Sequence, residues 1–309
     1  MSLFKRRLTT ALSATALAFG LQACTTAAAP DTAVARAAPV AAPAGPALWK
    51  VADEDTTIYL FGTVHALPKD VDWMRGPISQ ALASSQTLVT EISDAEMNDP
   101  AMQQTTVALG TLPPGQSLRD LLDADQTATY EAAMAKVGVP KEAFDRFEPW
   151  MAGVTLSILP IMKAGYTQES GVEKRIEAEA GEAMKREALE TVAGQLAVFD
   201  TLPPDAQIAF LMVAAEMVDE IVPTMDQMVA EWLEGDADSL AELMNRGMSD
   251  PTLAEALLYK RNRNWVEWID GRMDAPGTVF MAVGAGHLAG EKSVQDYLRQ
   301  RGFAVTRVQ

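Results

Sequence analysis

The sequence contains very little cysteine and very little histidine. Its 309 residues include one cysteine, Cys24, and two histidines, His65 and His287. A single cysteine excludes an intrachain disulfide and a dithiol redox pair. Basic residues are outnumbered by acidic ones, 25 against 42, which gives a formal net charge of −17. Because this excess of negative charge repels nucleic acids, we expect no nucleic-acid partner.

Several motifs that mark common enzyme classes are also missing. The sequence has no GxSxG turn, no P-loop, no HExxH and no GxGxxG. These absences argue against a serine esterase of the usual α/β type, a P-loop nucleotide hydrolase, a zincin protease and a dinucleotide-binding enzyme. The chain is 48% hydrophobic and 22% charged, which is typical of a globular protein.

The N-terminus has the pattern of an export signal. Basic residues at positions 5–7 precede the apolar stretch Leu8–Gly20, which is too short for an ordinary membrane-spanning helix. The segment that ends in Cys24 resembles the lipidation site of bacterial lipoproteins, and Thr25 favours the outer membrane by the same resemblance. An ordinary cleaved leader with an incidental cysteine is the alternative.

The sequence therefore predicts three regions. Residues 1–23 are a signal peptide. Residues 24–46 are a lipidated Cys24 with a tether rich in alanine and proline. Residues 47–309 are the folded domain. We expect the domain to be lipid-anchored to the cell envelope, at the outer membrane and facing the periplasm, with no prediction of its oligomeric state.

Apolar segments near both ends of the chain are predicted to form strands. These are Ala47–Ala52, Thr56–Thr63, Thr87–Ile92, Thr278–Val283 and Phe303–Val308. Helices over Ile78–Ser85 and Glu291–Arg301 separate strand pairs, which favours parallel βαβ units at both ends. Residues 94–274 are predicted to be mainly helical, with a short strand at Glu187–Thr191 inside this region. The predicted fold is α/β (α+β), a mixed sheet built from the N- and C-terminal segments with a large helical central insertion.

The two histidines occur in matching contexts. His65 lies three residues after Gly62 and His287 lies three residues after Gly284, each just past a predicted buried strand. Ligands of open α/β sheets bind beyond the carboxyl ends of the strands, so the two rings can share a site if their strands are neighbours. Imidazole is both the commonest metal ligand and the usual general base near neutral pH.

Two glutamates and one arginine are the other candidate site residues. Glu91 ends a predicted strand and can complete a two-histidine, one-carboxylate metal site that keeps positions open for water. Glu190 is a second carboxylate, as ligand or general base. A helix is predicted over Leu253–Ile269, with a buried apolar face that includes Trp265 and Ile269. Arg261 falls on or near that face, where it needs a carboxylate or a substrate oxyanion as partner.

The motifs together resemble the TraB/GumN family, which includes the animal Tiki proteins. Matching segments occur in the same order from about Leu48 to the C-terminus. They include YLFGTVH at Tyr59–His65, LVTEI at Leu88–Ile92, Gly171-Val172-Glu173, LET at Leu189–Thr191 with Gln195, Arg261-Asn262 with Trp265, and VGAGHL at Val283–Leu288. The segment before Leu189 is longer and more charged than the family's pattern.

This resemblance implies a fold akin to the erythromycin esterase and ChaN-like group, and metal-dependent proteolysis as in Tiki members. His65, Glu91 and His287 would hold a divalent ion, manganese, cobalt or zinc, with Glu190 and Arg261 in supporting catalytic roles. The leading hypothesis is a metal-dependent hydrolase of peptides or another small carbonyl substrate. The alternatives are a metal-free, histidine-dependent hydrolase and a non-catalytic envelope protein that binds a peptide, haem or metal.

Overall fold

The strands of the protein form one mixed sheet. The computed structural model describes residues 45–246 and 251–309, so the predicted signal peptide and Cys24 lie outside the described residues. The strands are β1 (Leu48–Ala52), β2 (Thr56–Thr63), β3 (Thr87–Thr90), β4 (Lys185–Ala188), β5 (Gly277–Gly284) and β6 (Val305–Arg307). Their order across the sheet is β4-β3-β5-β2-β1-β6.

Helices account for most of the remaining described chain. The α-helices are α1 (Pro77–Ser84), α2 (Asp94–Met97), α3 (Pro100–Leu109), α4 (Ala124–Lys136), α5 (Pro149–Lys163), α6 (Val172–Glu179), α7 (Val192–Asp200), α8 (Pro204–Glu216), α9 (Ile221–Glu234), α10 (Ala237–Arg246), α11 (Pro251–Ala254), α12 (Lys260–Met273) and α13 (Val294–Gln300). Short 3₁₀ helices occur at Leu118–Leu121, Gln168–Ser170 and Ala285–Leu288. The mixed α/β fold with a helical central region is confirmed.

The two predicted βαβ units do not join neighbouring strands of the sheet. β2 and β3 are parallel, as predicted, but β5 lies between them and pairs with both. β6 pairs with β1 and not with β5, so the last βαβ unit spans two intervening strands. β5 is therefore a central strand, and the C-terminal part of the chain lies in the middle of the sheet.

Some element boundaries also differ from the predictions. β4 begins at Lys185 and ends at Ala188, two to three residues before the predicted Glu187–Thr191. It is an edge strand whose residues are mostly exposed, so its position depends on pairing with β3 and not on an apolar pattern. A 3₁₀ helix, Ala285–Leu288, directly follows β5 and contains His287. The C-terminal helix α13 begins at Val294 and is shorter than predicted.

The sheet is covered on both faces because its central strands are apolar on both sides. On β5, Phe280 and Ala282 pack in one hydrophobic cluster with residues of α1, α6 and α9. Val279, Met281 and Val283 point the other way and pack with residues of α12 and α13. Parallel strands buried on both faces are expected to read as continuous apolar runs, as TVFMAV does.

The central insertion has a hydrophobic core of its own. It is built mainly from α4, α5 and α8, with residues that include Leu118, Tyr130, Leu156 and Leu211, all fully buried. Among the described residues, no single helix is long and apolar enough to cross a membrane. The bent helix pair Val192–Asp200 and Pro204–Glu216 has enough length and apolar composition only when its two helices are taken together.

One helix runs without interruption from Pro251 to Met273 and contains a π-helical turn at Glu255–Tyr259. It includes the helix predicted over Leu253–Ile269, and Trp265 and Ile269 are buried as predicted. The π turn was not predicted. Such turns are rare and frequently lie at functional sites.

Candidate functional site

The carboxyl ends of four parallel strands bring the predicted residues to one edge of the sheet. β4, β3, β5 and β2 run in the same direction as adjacent strands. His65 follows the end of β2 by two residues, and His287 follows the end of β5 by three. Because Thr63 pairs with Gly284, the two segments leave the sheet side by side. The two GxxH segments are therefore neighbours at this edge of the sheet.

The two glutamates lie beside the same edge. Glu91 directly follows β3, and the Glu190 N–H donates to the Glu91 carbonyl at 2.8 Å, which extends the pairing of β3 and β4 beyond the strands. The Gly284 N–H donates to Glu91 Oε1 at 2.7 Å, which ties β3 to β5. A Cβ on Gly284 would lie 3.0 Å from Glu91 Oε1 and 4.0 Å from His65 Nε2. Gly284 therefore leaves open the space between these two groups.

Arg261 is the centre of the site. Its Nη2 donates to Glu91 Oε2 at 2.6 Å and to Glu190 Oε2 at 2.8 Å. Its Nε donates to Glu190 Oε1 at 2.9 Å. Its Nη1 donates to the Leu257 carbonyl and to His287 Nε2, both at 3.1 Å. A guanidinium has five N–H donors, so every one of them has an acceptor within the protein.

His287 is a buried, neutral imidazole. The residue is 5% exposed, and the centroid of its ring lies 4.2 Å from the centroid of the Trp265 ring. Burial lowers the pKa of His287 to about 3. Nδ1 lies 2.6 Å from Asn262 Oδ1, so Nδ1 carries the proton and donates it to that oxygen. Nε2 is then the acceptor for Arg261, which fixes both ring nitrogens.

Glu91 is a buried carboxylate in a set of donors. Burial alone would raise the pKa of Glu91, but Arg261, His65 and the Gly284 N–H stabilise the carboxylate and hold this pKa below its ordinary value. Gln195 Nε2 also donates to Glu91 Oε2, at 2.8 Å. Glu91 is therefore ionised at neutral pH and held by neighbours on three different elements.

His65 has the opposite environment. Its Nδ1 lies 2.6 Å from Glu173 Oε1, and 70% of its side chain is exposed. The negative charge of Glu173 raises the pKa of His65 to about 9. The backbone supports this pair, because the Val172 N–H donates to the Val64 carbonyl at 3.0 Å. Gly171 is required there, since a Cβ on it would collide with the His65 carbonyl.

The structure thus brings all five predicted residues together, and it adds partners to which the sequence assigned no role. Glu173 orients His65 and Asn262 orients His287. Gln195 bridges Glu91 and Glu190 at 2.8 and 3.0 Å. Trp265 donates to Glu190 Oε1 at 2.8 Å, although the sequence indicated only a buried apolar role. The family-like segments contain these residues, which is the one signal that could have found them.

A divalent metal ion needs several ligand atoms with free lone pairs. Within the described ranges, no group of three or more histidine, cysteine, aspartate or glutamate side chains is placed to hold one. His287 has no free lone pair, because Nε2 accepts from Arg261 and Nδ1 donates to Asn262. Glu91 accepts on both oxygens. The side chains in this arrangement do not fit a metal ion.

A sequence model of the TraB/PrgY/gumN family matches residues 47–307. No curated protein and no solved structure matches the chain significantly.

Proposed function

The chain belongs to the TraB/PrgY/gumN family, and from this premise we propose that it is a hydrolase of ester or amide bonds in which His65 transfers the proton. The substrate is a peptide or another small carbonyl compound. Family membership alone sets no reaction. The proposal is supported by the chemistry of the residues at the carboxyl edge of the sheet.

The observation that carries the proposal is the His65–Glu173 pair. A carboxylate on Nδ1 fixes the tautomer and orientation of an imidazole and leaves Nε2 for proton transfer, as in hydrolases that use an oriented histidine. His65 has this arrangement, with Nδ1 2.6 Å from Glu173 and a side chain that is accessible to substrate. His287 does not, because both its nitrogens are engaged.

The proposed reaction uses water as the nucleophile. We place this water in the space beside Gly284, where a Cβ would lie 3.0 Å from Glu91 Oε1 and 4.0 Å from His65 Nε2. Neutral His65 takes a proton from this water as its oxygen bonds to the carbonyl carbon of the substrate. The same proton then passes to the leaving oxygen or nitrogen when its bond to that carbon breaks. The ionised Glu91 orients the water and stabilises the positive charge that forms on His65.

Arg261 and Glu190 have positioning roles in this proposal. Since all five guanidinium donors of Arg261 are occupied, none is free for a substrate oxyanion. Arg261 instead holds Glu91 and His287 in place, and Glu190 holds Arg261. The predicted oxyanion role of Arg261 stays a prediction, as does the predicted metal ion held by His65, Glu91 and His287.

We also propose that the domain works at the cell envelope. The support is the sequence pattern around Cys24. A lipid on Cys24 would tether the domain to the outer membrane through residues 24–46.

A turnover assay under chelation tests the proposed function. The purified protein is dialysed exhaustively against chelator and assayed with a library of esters and peptides. We expect turnover to survive, and the H65A variant to lose about 100-fold or more of it without losing its fold. Lys69→Ala, an exposed change in the same loop, is the matched control and should keep full turnover.

Two results would overturn the proposal. Turnover that is lost on chelation and restored by manganese, cobalt or zinc would support the metal-dependent hypothesis. Saturable binding of peptide or haem without any product would support the binding-protein hypothesis.

A further inference from the structure

We infer that the guanidinium of Arg261 is the built-in cation of this site and that it keeps a divalent metal ion out of the position between Glu91, Glu190 and His287. The inference concerns ion binding and does not depend on whether the chain hydrolyses a substrate. It follows from the position of the guanidinium, the state of His287 and the charges of the cluster.

Arg261 Nη2 occupies the place that a bridging metal ion would need. This nitrogen lies between Glu91 Oε2 at 2.6 Å and Glu190 Oε2 at 2.8 Å. A zinc ion bound by two carboxylates needs both oxygens at about 2.0–2.2 Å. An ion that uses these two oxygens together must therefore take nearly the place of Nη2. The guanidinium and the ion exclude each other.

His287 has no lone pair free for a metal ion. A metal ion needs the lone pair of an imidazole nitrogen. The lone pair on Nε2 points to Arg261 Nη1 at 3.1 Å, and Nδ1 donates to Asn262 at 2.6 Å. His287 becomes a ligand only when Nη1 leaves.

Arg261 also supplies the positive charge that faces Glu91 and Glu190. Glu91 and Glu190 carry two negative charges, and Arg261 supplies one positive charge beside the neutral His287. Without Arg261 the cluster would hold two uncompensated carboxylates and one imidazole around an empty space. Two carboxylates and one histidine are a ligand set that binds zinc with a position left open. The guanidinium thus stands where a dication would otherwise bind.

The guanidinium is also held firmly. Its side chain is 15% exposed, and it lies over the Trp265 ring at 5.1 Å from the centroid. Its Nη1 bonds the Leu257 carbonyl, which belongs to the π-helical turn one helical turn earlier. This support from the main chain fixes the arginine from its own helix as well as from the sheet edge.

Metal binding by an arginine variant tests the inference. Wild-type protein and Arg261→Ala are stripped with chelator, dialysed against Zn²⁺ and analysed for bound zinc, and Co²⁺ absorption reports the ligand geometry. We expect almost no bound ion in the wild type and about one per chain in the variant. The double variant Arg261→Ala/His287→Ala should lose the ion again.

Arg119→Ala is the matched control. Arg119 also pairs with two carboxylates, Asp145 and Glu131, but no histidine contacts it among the hydrogen bonds of the described chain. Its removal should therefore create no zinc site of comparable occupancy. Circular dichroism establishes that each variant is folded.

A measurement on the wild type keeps the inference testable if Arg261→Ala does not fold. Zn²⁺ is added to protein with ¹⁵N-labelled histidine, and the Nε2 resonance of His287 should not move. A wild type that binds one zinc ion through His287 would overturn the inference. A folded Arg261→Ala variant that binds no zinc would overturn it as well, because the guanidinium would then not be what keeps the ion out.

Discussion

His65 and His287 carry the same ring in opposite environments. Glu173 holds His65 at an accessible position and raises its pKa, whereas burial among Trp265, Asn262 and Arg261 keeps His287 neutral. Only His65 combines a carboxylate on Nδ1 with access to substrate. From this difference we propose that His65 transfers the proton and that His287 makes a positioning contact.

The first prediction concerns Glu173→Gln. A general base acts in its deprotonated form, so the rate of the wild type should rise with pH through the raised pKa of His65, about 9. Removing the negative charge lowers that pKa towards the ordinary value of 6.5. The midpoint of the pH–rate profile should therefore move to lower pH, and the maximal rate should fall as the ring loses its orientation. An unchanged midpoint would show that His65 is not the group that titrates.

The second prediction concerns Arg261→Met. This change leaves Glu91 and Glu190 buried without their cation, and breaking a buried ion pair in this way costs about 3–5 kcal/mol. Denaturant unfolding should show that loss in the free energy of unfolding. The loss for Arg119→Met should be smaller, because its ion pairs are more exposed. Equal losses would mean that Arg261 does not hold a buried cluster.

The sequence identified the residues of the site that stand in recognisable patterns, and missed their partners. His65, Glu91 and His287 follow apolar strands, a pattern that can be read locally. Glu173 lies 108 positions after His65, and its family-like segment Gly171-Val172-Glu173 does not show which residue it pairs with. Such contacts arise only when α6 packs beside the end of β2.

At the level of elements, the neighbouring ends of β2 and β5 build the site. The sequence predicted both strands within one residue of their observed bounds, since both are continuous apolar runs. It could not predict that β5 lies between β2 and β3, because strand order depends on how segments far apart in the sequence pack together. β4 was displaced because an exposed edge strand carries little apolar signal.

The third prediction tests the space at the end of β5. In Gly284→Ala, the new Cβ lies 3.0 Å from Glu91 Oε1, in the space that we assign to the attacking water. Turnover should fall about tenfold or more, with a modest fall in Tm. Gly271→Ala is the control, because nothing lies within 4 Å of its Cβ and alanine favours the helix. If turnover in Gly284→Ala matches that control, the water is not in this space.

At the level of the whole molecule, the chain ends supply five of the six strands, and the middle supplies the edge strand β4 and a helical insertion with its own core. This plan was predictable because strand-like and helix-like patterns occupy separate stretches of the sequence. The packing of the insertion was not predictable, since apolar helices can pair in many ways. The proposed tether, residues 24–46, would let the domain act at a membrane surface while its net charge repels anionic headgroups.

The fourth prediction concerns Cys24→Ser. If Cys24 is lipidated, the wild type should label with radioactive palmitate and sediment with the outer membrane. The variant should lose the label and appear in the soluble envelope fraction. The H65A variant is the control and should remain in the membrane. A wild type that is soluble and unlabelled would contradict the lipoprotein proposal and leave the ordinary cleaved leader.

The central claim is that two imidazoles share one site in opposite states, and a nitrogen NMR titration of histidine-labelled protein tests it most directly. The chain has only two histidines, so the spectrum contains two rings, and H65A assigns them. We predict that the His65 ring titrates near pH 9. The His287 ring should stay neutral above about pH 3, with its proton on Nδ1. Two rings that both titrate near pH 6.5 would contradict the account, because neither would then have its proposed partners.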